Sequence, residues 1–181
     1  MKRNHISFIM NPINSWEKII MKLKKCLSFL VLGIALIALA ACGKKSTEDI
    51  IKTELKDSYT GYSKVSGYNG LMFVGGGDTL TFNKKENSIT NSSGEKIYFS
   101  VISGDDIPAA TKGVITNLKS QLKGTDNFTI ITSSKKNPTK KDSEGGYQIA
   151  LSEGGKTIRI IELNQDYASD GSYYDFSGES K

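Results

Sequence analysis

The sequence predicts an α+β fold, mainly β. It reads as a seven- to eight-stranded antiparallel sheet, strongly bent or closed as a small barrel, with an N-terminal helix and one inserted helix. Three observations predict it. Between positions 71 and 163, short runs of β-branched, aliphatic and aromatic residues alternate with polar ones, the period of half-buried strands. Most of these runs are separated by a few turn residues, which makes neighbours antiparallel. Helical spacing of apolar residues shows in only two places, and a long antiparallel meander must then curl or cover one face with those helices.

Taken in order, Ser46 followed three residues later by Asp49 forms a capping box. Ile51, Leu55 and Tyr59 recur at four-residue spacing on the helix it opens, and Gly61 ends that helix. Strands are expected at 71–74, 79–83, 88–90 and 96–102, joined through Gly75-Gly76-Gly77-Asp78, Lys84-Lys85-Glu86-Asn87 and Ser92-Ser93-Gly94. Leu80 and Phe82 alternate with Thr79, Thr81 and Asn83, as Ile97 and Phe99 do with Tyr98. Asp106 is expected to cap the second helix, with Pro108 in its first turn. Ala110, Val114, Leu118 and Leu122 line one face of it, and Gly124 closes it. Further strands are expected at 128–132, 147–151 and 157–163, the last two joined through Gly154-Gly155. The polar loop 133–146 is expected to be the most mobile segment, and Tyr173, Tyr174 and Phe176 mark a last short strand. Leu71, Phe73, Leu80, Phe82, Ile97, Phe99, Val101, Phe128, Ile130, Ile149, Leu151, Ile158 and Ile160 can share one interior. A small barrel fills that interior or leaves room for one small ligand, entering the sheet's concave side.

Ahead of this domain, Met21-Lys22-Leu23-Lys24-Lys25 is a compact basic segment before the apolar run 27–41. That run is short of the ~20 apolar residues a membrane span needs. It ends in Leu39-Ala40-Ala41-Cys42, which resembles the lipobox of bacterial lipoproteins. The resemblance implies a type II signal peptidase that reads Leu39, Ala40 and Ala41 and cuts before Cys42. It also implies a diacylglyceryl group on the Cys42 thiol, with no other cofactor expected. The chain would then be anchored to the outer face of the cytoplasmic membrane. Residues 1–20 read as an over-called start or an extension of the basic segment, 21–41 as the signal peptide, 42–46 as anchor and tether, and 47–178 as a single mainly-β domain. Lipobox and strand count together are similar in outline to small calycin-like surface lipoproteins of Gram-positive bacteria. The lipocalin Gly-x-Trp signature is missing, since the only tryptophan, Trp16, precedes Cys42.

The formal net charge of +5 belongs to the leader. Six of the 24 basic and one of the 19 acidic residues precede Cys42, so 18 of each remain beyond it. Nothing in that balance calls for nucleic acid. The one histidine, His5, and the other cysteine, Cys26, also lie in the leader. That removes Ser-His-Asp and Cys-His nucleophiles and histidine-based zinc sites. The 140 residues from Cys42 onward are too few for a two-lobed solute-binding protein. Carboxylates remain: Asp105-Asp106, Asp126, Asp142 with Glu144, and Asp166 with Asp170. They sit in turn-rich surroundings, and neither a catalytic residue nor a metal ligand is assigned. Gly75-Gly76-Gly77-Asp78 feeds a strand and so reads as a connection, not a phosphate loop. Residues 164–171 have a calcium-like composition without the spacing of a calcium loop. Tyr59, Tyr62 and Tyr68, with Tyr173 and Tyr174, are the candidate ligand surface. The function read from these features is a membrane-anchored, non-enzymatic binding or interaction module for a small apolar ligand or an envelope protein. The alternatives are a carboxylate-dependent cell-wall enzyme and an envelope-stress or immunity lipoprotein.

Overall fold

Alternation gives every strand one apolar and one polar face, and a meander of such strands buries all its apolar faces by rolling up on itself. The computed structural model describes residues 45–63, 73–163 and 173–181. Among them, eight antiparallel strands follow one another in sequence order around a closed barrel. They are β1 (Ser58–Ser63), β2 (Gly76–Asn83), β3 (Ser88–Thr90), β4 (Lys96–Ile102), β5 (Asp126–Ser133), β6 (Gly145–Ser152), β7 (Thr157–Glu162) and β8 (Asp175–Glu179). A short α1 (Thr47–Asp49) runs into a π-helical turn, Ile50–Glu54, ahead of β1, and α2 (Ala109–Asn117) lies between β4 and β5. The fold is mainly β, with an N-terminal and an inserted helix, and is calycin-like in outline.

The expected N-cap is present, since the Ser46 hydroxyl accepts from the Asp49 amide at 3.1 Å, while the Asp49 carboxylate accepts from that hydroxyl at 2.7 Å. The helix it opens is much shorter than its spacing suggests. Ile50 and Leu55 are buried, but Tyr59 lies on β1 rather than on a third helical turn. The reason is closure. β1 pairs with β2 along Ser58–Ser63 and with β8 along Thr60–Ser63. Had residues 58–63 stayed helical, both partners would carry open edges. Tyr, Thr and Ser at these positions suit a strand once such partners are available. Gly61 tolerates no side chain there, because a Cβ would run into the β8 backbone at Ser177 and Gly178 as well as the Phe176 ring.

Further expectations are corrected or fall partly outside the described residues. Gly76 and Gly77 belong to β2 and pair with Ser63 and Tyr62, so the glycine run is strand and not connection. Of the strand expected at 71–74, Leu71 and Met72 lie outside the described residues, while Phe73 is buried in the interior. Asp106 does not cap α2. It ends a 3-10 turn, Gly104–Asp106, and its carboxylate pairs with Lys140 at 2.8 Å, while Pro108 occupies the cap position without a side-chain bond. Val101 is 38% exposed although its partner Ile130 is buried. β3 stops at Ser88, opposite Tyr98, and leaves the end of β4 uncovered on that side.

Two apolar clusters result. The interior one gathers Tyr59, Phe73, Leu80, Phe82, Ile89, Ile97, Phe99, Phe128, Ile130, Tyr147, Ile149, Leu151, Ile158, Ile160, Tyr174 and Phe176, with Ile50 and Leu55 of the N-terminal segment. The other lies on the outer surface, where Val114, Leu118 and Leu122 pack on Ala150, Ile161 and Leu163. Ala110, expected on the same helix face, is exposed. The polar loop between β5 and β6 is cross-tied. Glu144 accepts from the Ser134 hydroxyl at 2.7 Å and the Ser134 amide at 3.1 Å, and Asp142 accepts from Thr139 at 2.6 Å and Lys135 at 3.0 Å.

Candidate ligand groove on the outer face

Inside the barrel the space is taken. Phe73 lies between Tyr147 and Tyr174, with ring centroids 4.7 and 4.8 Å away, and Tyr174 stacks on Phe176 at 6.1 Å. The Phe176 ring folds over the paired glycines Gly61 and Gly178, close enough that a Cβ on either would collide with it. Tyr59 fills the other end, accepting from the Lys56 amide and donating to the Gly155 carbonyl, both at 2.9 Å. Burial, the larger effect, pushes its phenol above the ordinary 10.0.

The cavity with a defined lining lies outside, over β1, β8, β7 and β6, and has a volume of about 360 Å³. Register explains its composition. Outward positions come level across the strands, so Tyr62, Ser177, Arg159 and Ala150 form one row. Thr60, Glu179, Thr157 and Ser152 form the next. The turn leaving α2 supplies a wall through Gln121, Leu122 and Thr125. Arg159 organises the floor. Its Nε and Nη2 donate to the two Asp175 oxygens at 2.7 and 2.8 Å, and Nη1 donates to Gln121 Oε1 at 2.7 Å. A bidentate guanidinium–carboxylate pair fixes both partners in one plane. Three segments distant in sequence are thereby tied at one point.

The five candidate tyrosines do not form one surface. Tyr59 and Tyr174 are core residues, Tyr173 packs against the cluster under α2, and Tyr68 lies outside the described residues. Tyr62 alone is well exposed, at 58%; it does not line the groove itself but is the register partner of Ser177, which does. Arg159 was not among the sequence candidates. The signal that could have found it is compositional, since it is the only arginine among the 18 basic residues beyond Cys42.

The carboxylates are occupied. Asp105 faces Lys112 at 3.6 Å, and Asp142 and Glu144 are bound within their loop. Asp126 and Glu54 converge on Lys45, at 3.3 and 2.6 Å. Lys45 holds the Glu54 carboxyl below its ordinary 4.5, the opposite of what a general acid needs. The hydrogen bond from Ser134 does the same to Glu144, that from Thr139 to Asp142, and that from Lys140 to Asp106. Among the described residues no cluster of three potential metal ligands occurs, and no helix is long and apolar enough to cross a membrane. Asp166, Asp170, the calcium-like stretch 164–171 and the segment Leu39-Ala40-Ala41-Cys42 lie outside the described residues.

No family model, curated protein or solved structure matches the chain. The class therefore rests on the architecture: a closed eight-stranded antiparallel barrel with a filled interior and a groove on its outer wall.

Proposed function

We propose that this chain is a lipid-anchored, extracytoplasmic, non-enzymatic binding module that engages its ligand or partner on the outside of the barrel. The observation that carries the reading is the contrast between an interior packed with aromatic and aliphatic side chains and an outer groove with an ordered polar floor. The sequence Leu39-Ala40-Ala41-Cys42 supports the anchor. Glu54, Asp106, Asp142 and Glu144 are each held low by a local partner, so none of these four suits the proton-donating role of a cell-wall enzyme.

Two experiments test this. With Cys42→Ala, the protein is expected to leave the membrane fraction, and full retention there would overturn lipid anchoring. A photo-crosslinking amino acid in place of Ser177 is expected to capture an envelope component in living cells, while the same group at Lys141, in the loop between β5 and β6, is not. Equal labelling from both positions, or none from either, would overturn the groove as the binding surface.

A further inference from the structure

We infer that the groove takes a neutral saccharide, with Tyr62 as the platform on which a sugar ring stacks; this rests on the binding-module reading above. Tyr62 is one of three large apolar side chains left exposed among the described residues. A strand aromatic is usually covered by its cross-strand neighbours. Here the neighbours are Gly77 on β2 and Ser177 on β8, one without a side chain and one with a small hydroxyl. The ring face is therefore open to a flat partner beside the polar row of the groove.

Charge narrows the partner. The lining supplies the cation Arg159, already neutralised through both nitrogens that face Asp175, and it adds the carboxylate of Glu179. Such a floor offers little to a phosphate-rich polymer, which needs cations in excess. It offers the Thr157 and Ser177 hydroxyls and the Glu179 carboxylate, beside Thr60, whose hydroxyl is shared with Thr79. Neighbouring strands lie about 4.8 Å apart, a spacing on the scale of a pyranose ring. A sugar has an apolar C–H face for Tyr62 and a hydroxyl edge for this row. An extended peptide would prefer a free strand edge, and the strands under the groove, β1, β8, β7 and β6, are each paired on both sides.

The test uses the full chain in detergent, titrated by calorimetry with β-1,4-linked N-acetylglucosamine tetramers and with maltotetraose. Saturable binding of at least one is expected. Tyr62→Ala should weaken it tenfold or more with unchanged thermal midpoint, and Tyr62→Phe should keep it within threefold, since the ring and not the hydroxyl does the stacking. Absence of saturation by both sugars at about 10 mM, or equal affinity of wild type and Tyr62→Ala, would overturn the inference. If the Ser177 crosslinker captures a protein and no glycan, the saccharide inference fails while the binding-module reading stands.

Discussion

Phe176 and Tyr62 are aromatic side chains on neighbouring strands, each set beside glycine, on opposite faces of one wall. Phe176 points inward over Gly61 and Gly178 and is fully buried, whereas Tyr62 points outward beside Gly77 and is 58% exposed. On the inner face the glycines make room for a ring that completes the core. On the outer face Gly77 leaves a ring uncovered. A strand residue's parity decides which of these it becomes, so the same residue type serves stability on one face and recognition on the other.

The largest way to break this comparison is to truncate both rings. Phe176→Ala removes a fully buried ring that stacks on Tyr174, and is expected to cost about 3–5 kcal/mol in urea unfolding. Tyr62→Ala, on the exposed side, is expected to stay within about 0.5 kcal/mol of wild type. Similar losses for the two would mean that Tyr62 is structural and that its exposure has been misjudged.

The second test concerns the floor of the groove. Asp175 is only 6% exposed at its side chain, while Arg159 is 29% exposed. Arg159→Leu strands that carboxylate and is expected to cost about 1.5–3 kcal/mol, the range for hydrogen bonds to charged groups. Arg159→Lys should recover only part of it, since one ammonium cannot serve both carboxylate oxygens and Gln121 at once. Full recovery by lysine would show that charge alone matters here and that the planar tie does not.

Much of the barrel was legible because its signals are local. β3 and β4 fall at the residues where alternation places them, and Gly154-Gly155 does sit between β6 and β7. β1 was not legible. Ile51, Leu55 and Tyr59 share a spacing that a helix would also produce, and the evidence for a strand lies in its partners β2 and β8, the latter more than a hundred residues away. The groove itself was illegible, though the exposed ring beside it, Tyr62, was among the candidates. Arg159, Asp175 and Gln121 are brought together by closure and by the turn after α2, and no local pattern records that meeting.

A third, smaller effect sharpens the contrast between two tyrosines three residues apart. Tyr59→Phe removes the hydroxyl that joins Lys56 to Gly155 and so ties the segment after α1 to the β6–β7 turn. It is expected to cost about 1 kcal/mol, whereas Tyr62→Phe should leave stability unchanged. If chemical denaturation finds Tyr59→Phe neutral, water replaces the hydroxyl and that junction is looser than its geometry implies.

The smallest effect is the titration of the surface, where inside and outside differ in sign as well as in size. Glu54, Asp142 and Glu144 are held below their ordinary values by Lys45, Thr139 and Ser134 respectively. A depressed carboxylate contributes stability that is present above its unfolded pKa and is lost as pH falls through the folded one. The thermal midpoint should therefore decline as pH drops below about 4.5, and the part owed to the Lys45–Glu54 ion pair should shrink in high salt, since hydroxyl donors come first in holding down Asp142 and Glu144. Lys45 is raised above 10.5 by Glu54 first and Asp126 second. Its contribution is present below that value and fades as pH climbs through the folded pKa. Tyr59, raised chiefly by burial, behaves alike at alkaline pH with less salt sensitivity, since desolvation outweighs the nearby Asp57 and Glu54 charges. Glu54→Gln should thus shallow the acid limb and reduce the salt-sensitive part of the alkaline limb, to which Lys45–Asp126 and Lys135–Asp142 still contribute, while Tyr59→Phe removes the part owed to burial. An alkaline limb wholly erased by Glu54→Gln would mean that the buried phenol contributes nothing, and that only the outer face of this barrel responds to pH.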